Sequence, residues 1–225
     1  MARPPAAPQP DVAPPSAPSP VITERLIPYD AERCGLTEDY LRVHHPGLVD
    51  GFTEASCEMT PKLIVLHWTG GGTAESAWNT FASTMLGGRP ELVGAGAVNV
   101  SAHFVVERDG SILRLLPDTT VARHVIGLNH LSIGIENVGG GDELPLTDAQ
   151  VQADAALVRV LVAEHPITHL IGHHEYRQME RHAYFQEADP SYRTSKRDPG
   201  SAFMAEVRAL VEDLGLEGPP PPPEL

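Results

Sequence analysis

The chain has 225 residues and a formal net charge of −14, enough length for one domain with a substantial core. That charge excludes a nucleic-acid partner, because phosphate contacts need a basic face. No apolar run approaches the roughly 18 residues of a transmembrane helix.

Of the 22 prolines, eight lie within residues 2–20 and five form the run 219–223. Such segments have little apolar material to bury and favour extended, solvated backbone. Residues 1–21 and 217–225 are therefore read as tails, and 22–216 as the folded domain. The N-terminus lacks the charged start and apolar centre of a signal peptide, while a proline-rich tether suits an exported domain whose signal is removed or absent. The expectation is an extracytoplasmic protein, with a cytoplasmic one as the alternative. Cys34 and Cys57 form one disulfide under export or stand as two thiols.

In chain order, Leu63-Ile64-Val65-Leu66 reads as a buried strand ending at His67, bounded by Pro61 and the glycines 70–72. Thr73 is placed to cap a helix with an apolar face of Ala74, Trp78, Phe81 and Met85, stopped by Gly87 and Gly88, and residues 89–100 read as a loop. Residues 103–107 and 112–116 flank Asp109-Gly110, a strong hairpin signal. Ser132 to Val138 form a further strand. Thr147 and Gln150 have capping-box spacing ahead of a helix with Val151, Ala155, Val158 and Val162 at helical period, stopped by Pro166. Residues 167–171 form a short strand leading into Gly172-His173-His174. Pro199 opens a last helix with Phe203, Val207, Leu210 and Leu214 on one face. Strands alternating with helices around one hairpin predict a single α/β domain with a central mixed β-sheet flanked by helices.

Three polar residues, His67, Glu136 and His173, stand at the ends of separate apolar strands, where a rigid sheet presents side chains to a cleft. The stretch His173-His174-Glu175 invites comparison with H-E-x-x-H, but Gln178 occupies the closing position. A catalytic zinc needs three protein ligands and an open position. His67 and His173 supply two, and Lys196-Arg197-Asp198-Pro199-Gly200 offers a carboxylate.

Six blocks occur in register: residues 64–69 (IVLHWT), 101–110 (SAHFVVERDG), 122–124 (ARH), 132–136 (SIGIE), 171–173 (IGH) and 196–200 (KRDPG). Together they resemble the zinc-dependent N-acetylmuramoyl-L-alanine amidases of type 2, related to peptidoglycan recognition proteins and the T7-type amidase lysozyme. The resemblance covers roughly residues 60–212. It implies an amide hydrolase acting between N-acetylmuramic acid and L-alanine of peptidoglycan or muropeptides, with one Zn2+ per chain, or else a non-catalytic muropeptide-binding module of the same fold.

By position, the resemblance makes His67, His173 and Asp198 the zinc ligands. Glu136 becomes the proton shuttle, Lys196 the group facing the scissile carbonyl, and His124 and Asn129 substrate-binding residues. His173 is preferred over His174 because it directly follows the strand, so that His174 points to the other face if the strand continues. Asp189-Pro190-Ser191 mimics the last ligand motif, but only Asp198 has a lysine two residues before it and Pro-Gly after it. Ala102 stands where relatives of the T7 and recognition-protein branch place a tyrosine, which leaves the acid–base work to Glu136.

Overall fold

The computed structural model describes residues 20–48, 57–88, 92 and 94–221. Most of the N-terminal tail, part of the expected loop 89–100 and residues 222–225 lie outside them. The described residues contain six strands: β1 (Ile22–Glu24), β2 (Leu63–Trp68), β3 (Phe104–Val106), β4 (Ile112–Arg114), β5 (Ser132–Asn137) and β6 (His169–Gly172). They form one sheet in the order β1-β4-β3-β5-β2-β6. Among these six strands the β3–β4 hairpin is antiparallel and the other strand pairings are parallel. The expected mixed sheet is therefore present. The helices described in full are α1 (Ala31–His44), α2 (Ala74–Ala82), α3 (Asp148–Glu164) and α4 (Ser201–Leu210).

The alternation of side chains along β2 sorts the layers. Ile64 and Leu66 enter the core beneath α3 and α4 with Leu157, Leu161, Met204 and Val207. Leu63 and Val65 enter the opposite face with Leu128, Ile171, Tyr176 and Met179. Each such fully buried side chain is worth about 1.5–3 kcal/mol of transfer free energy. His67 has the parity of Leu63 and Val65, so it leaves the sheet on the face away from α3. On β5, Ile133 and Ile135 lie in the α3 core, which turns Gly134 and Glu136 towards the His67 face.

Several local expectations hold. Thr147 and Gln150 form a reciprocal capping box on α3, and Thr73 and Ser76 form another on α2. Others shift. Helix α2 ends at Ala82 rather than near Gly87, because Asn99 Nδ2 donates to the carbonyls of Thr80 (2.8 Å) and Ser83 (2.9 Å) and closes the helix early. Met85 therefore lies outside the helix, 55% exposed and bridged to Val98. Helix α4 begins at Ser201 and buries Phe203, Met204 and Val207. Leu210 faces outward, and Leu214 belongs to a following 3-10 turn, Glu212–Leu214.

Cys34 and Cys57 are joined in a disulfide, which ties α1 to the segment entering β2. Past residue 216, Glu217 donates its N–H to Thr168 O and accepts from Leu170 N–H, each at 2.9 Å, along the outer edge of β6.

Candidate metal centre and active site

The ends of β2 and β6 are neighbours in the sheet, with Leu66 in register with Gly172. The next residue of each strand is therefore a histidine beside a histidine. His67 Nδ1 lies 2.9 Å from His173 Nδ1. Asp198 Oδ2 closes the triangle, 2.8 Å from His173 Nδ1 and 3.3 Å from His67 Nδ1. All three side chains are buried. Lone-pair-bearing atoms aimed at one point repel unless protons or a cation lie among them. Two imidazoles and a carboxylate suit zinc, whose bonds of about 2.0–2.1 Å space tetrahedral ligand atoms roughly 3.3 Å apart. The donor set fits such an ion.

The chain braces each donor. Beyond Gly172 the backbone leaves the strand and enters a 3-10 segment, His173–Arg181. The separation of His173 from His174 thus comes from this turn and not from strand alternation. His174 turns to the Asp198 loop: its N–H donates to Asp198 O at 2.8 Å, and its Nδ1 lies 3.1 Å from the same oxygen. Glu175 accepts from Gly172 N–H at 2.8 Å and pairs with Arg208, which also donates to Leu170 O. The glutamate that suggested H-E-x-x-H therefore anchors the ligand segment to α4. Asp189 caps a turn through Ser191 and lies apart from the centre.

His67 turns its other nitrogen, Nε2, to His124 Nδ1 at 3.0 Å, and His124 Nε2 lies 3.1 Å from Ser132 O. With His67 Nδ1 at the centre, one tautomer set fits: His67 donates to His124, and His124 to the Ser132 carbonyl. Gly134 makes room for the ring, since a Cβ there would come within 2.8 Å of it. Asn129 Oδ1 accepts from the N–H groups of His124 (2.9 Å) and Val125 (2.8 Å), and its Nδ2 donates to Tyr40 OH. Both residues border the pocket, but their polar atoms are engaged internally. Through these bonds both residues support His67 from the pocket wall. Ser132, Gly134 and Tyr40 complete that support. Only Gly134 left a sequence signal, a glycine between two apolar strand residues.

The electrostatics follow from this packing. Burial works to raise the Asp198 carboxyl, but hydrogen bonds and charge from His173 and His67 outweigh it and hold the group well below the carboxylate range. Burial and the neighbouring His67 lower His173 to about 4, against the pull of Asp198. Burial, His67 and His103 likewise hold His124 well below its ordinary value.

The centre opens into a pocket of about 300 Å³, with Glu136 and Lys196 on its wall beside the three donors. Glu136 is the register partner of His67 on β5. Lys196 lies close enough for its charge to act on His173. Tyr40, Arg123 and Tyr192 also line the pocket. Arg123 occupies the position before His124 and donates to the carbonyls of Leu92, Gly96 and Val98, tying that wall together.

A mixed α/β sheet that presents two histidines and an aspartate from strand ends, with a carboxylate and a lysine in one open pocket, defines a candidate metallohydrolase domain. The chain belongs to the Amidase_2 family, N-acetylmuramoyl-L-alanine amidase, whose model matches residues 58–201. It is 35% identical over 85 residues to the endolysin of Escherichia phage T7, an alignment spanning 36% of this chain and 56% of the relative. It is 34% identical over 134 residues to the 1,6-anhydro-N-acetylmuramyl-L-alanine amidase AmpD of Citrobacter freundii, spanning 54% of this chain and 63% of that one. The chain thus matches somewhat more than half the length of these curated relatives. Among solved structures, the N-acetylmuramoyl-L-alanine amidase LysC from Clostridium intestinale URNW shares the fold, with a TM-score of 0.53 at 21% identity, covering 88% of this chain and all of the other.

Proposed function

We propose that the chain hydrolyses the amide between N-acetylmuramic acid and L-alanine in peptidoglycan or muropeptides, with one zinc ion held by His67, His173 and Asp198. The observation that carries this reading is the convergence of three donor atoms beside Glu136 and Lys196 in one pocket. Family membership supplies the substrate class, and the intact donor set weighs against a binding-only role. When bound, zinc supplies Lewis acidity to a carbonyl oxygen and acidifies water at the site.

The protein's own groups do the rest. Glu136 accepts the proton of the attacking water and returns it to the leaving amine of L-alanine. Lys196 places a positive charge against the oxyanion that develops on the scissile carbonyl. His124, backed by Ser132, holds His67 in the tautomer that leaves Nδ1 free for the ion. The Cys34–Cys57 disulfide supports placement in an oxidising, extracytoplasmic compartment.

The test offers purified sacculi and soluble muropeptides side by side to zinc-loaded and chelator-treated protein. Release of stem peptides with a free L-alanine amine, lost with chelator and restored by zinc, is the expected result. Retention of muropeptide without cleavage at any zinc level would establish the binding-module role instead.

A further inference from the structure

Glu136 and Asn137 are adjacent on β5 and leave opposite faces of the sheet. Glu136 faces the pocket, while Asn137 enters the layer beneath α3. There Asn137 Nδ2 donates to Asp154 Oδ2 at 2.9 Å and to the main-chain carbonyl of His67 at 3.3 Å. The Asn137 carbonyl in turn accepts from Thr69 N–H at 2.9 Å. Asn137 and Asp154 are both 0% exposed. Among the described residues, Asp154 Oδ1 and Asn137 Oδ1 have no hydrogen-bond partner.

A buried carboxyl with one amide partner and one orphaned oxygen is costly to the fold. Asp154 stands on the apolar stripe of α3, three residues after Val151 and four before Val158. An aliphatic side chain there would continue the core without that cost. The acid therefore has a use other than packing, and its one contact leads to a metal ligand.

We propose that Asp154 is a positioning residue for His67, acting through the Asn137 amide. The inference rests on the metal reading above. Asp154 Oδ2 and the His67 carbonyl are both acceptors, so together they fix which end of the amide carries its hydrogens. The amide then holds the exit of the ligand strand at His67, while the Asn137 carbonyl holds Thr69. Without Asp154, the amide is free to turn, the His67 carbonyl loses its donor, and the aim of Nδ1 loosens.

The test compares Asp154→Leu, Asp154→Asn and Asn137→Ala for zinc affinity by chelator competition, for melting temperature, and for hydrogen exchange at Thr69 in zinc-free protein. Asp154→Leu should melt at or above wild type, yet bind zinc about 10–100-fold more weakly and exchange faster at Thr69. Asp154→Asn keeps an acceptor for Asn137 and adds a donor for its orphaned oxygen, so its zinc affinity should stay within about threefold of wild type.

Wild-type affinity and Thr69 protection in Asp154→Leu would overturn the proposal. So would an equal loss in Asp154→Asn, or a loss that follows a lowered melting temperature. Should Asp154→Leu fail to fold, Asn137→Ala must show the zinc loss and Asp154→Asn must lack it. A wild-type chain that takes up no zinc sinks the metal reading itself, and Thr69 exchange in the variants then decides the clamp alone.

Discussion

His67 and Glu136 are register partners on neighbouring parallel strands, and both side chains leave the face of the sheet away from α3. Strand geometry therefore sets a metal donor and a carboxylate side by side. This predicts separable defects. Glu136→Gln should keep full zinc content and muropeptide affinity while turnover falls by roughly 10²–10⁴, the worth of a positioned acid–base group. Lys196→Ala should also keep its zinc and lose roughly 10²–10³ in turnover. The double variant should lose less than the product, because both groups act on one transition state. Metal content, affinity and rate are measured on the same preparations. Wild-type turnover in Glu136→Gln would remove the proton-shuttle assignment even if the amidase activity stands.

The donor triangle makes a second prediction. His67→Ala, His173→Ala and Asp198→Ala should each abolish stoichiometric zinc binding, since two protein ligands leave an incomplete site. His174→Ala should retain the metal: its ring contacts the Asp198 carbonyl and packs on Gly172, so its loss loosens the loop but removes no donor. Asp189→Ala should be silent in metal content. Zinc retained in His173→Ala and lost in His174→Ala would assign the ligand to the wrong histidine.

Much of this site was legible because its residues break a pattern. His67, Glu136 and His173 are polar residues ending apolar strands, and the strand pairing then brings them together. The supporting residues break no pattern of that kind. His124 and Asn129 lie in the 124–129 loop, and their partners depend on how that loop folds back against Gly134 and Tyr40. Asp154 did leave a signal: an acid three residues after Val151 and four before Val158 occupies a core position. The apolar period of α3 reads equally well without it. Where boundaries moved, the cause was a contact distant in sequence, as when Asn99 closes α2 and leaves Met85 outside it.

The Cys34–Cys57 bridge spans a sequence separation of 23 and ties α1 to the segment before the central strand. Closing a loop of that size removes chain entropy worth about 3 kcal/mol from the unfolded state. The Cys34→Ser, Cys57→Ser double variant should therefore melt lower by roughly 6–12 °C for a domain of this size. Its zinc content should be unchanged, because neither sulfur approaches the centre. Calorimetry of oxidised wild type against the variant checks this. Equal melting temperatures would show that the bridge adds nothing to the fold.

The last prediction concerns acid. Burial, with repulsion from His130 and His44, lowers His45 to about 3. Burial lowers His103 to about 4 despite its hydrogen bond to the Thr120 carbonyl, and lowers His130 to about 4. Each binds its proton more readily in the unfolded chain, whose imidazoles titrate near about 6.5. Their stabilisation is therefore complete above that pH and is lost as the pH falls towards the folded values. Asp154 works in the opposite sense. Burial raises its carboxyl to about 7 against the pull of Asn137, so its contribution is present in acid and lost as the pH rises through 7. Between about pH 6 and 4.5 these three histidines, joined in zinc-free protein by His124 and His173, oppose one carboxyl, and the net slope should favour unfolding as the pH drops. His45→Phe keeps a ring against His130 and removes one of these titrations. It should flatten the slope of unfolding free energy by about 1.4 kcal/mol per pH unit. Denaturant unfolding of zinc-free protein across this range measures both slopes. Identical slopes in wild type and His45→Phe would mean that His45 is protonated in the folded chain, or that its burial is relieved before it titrates.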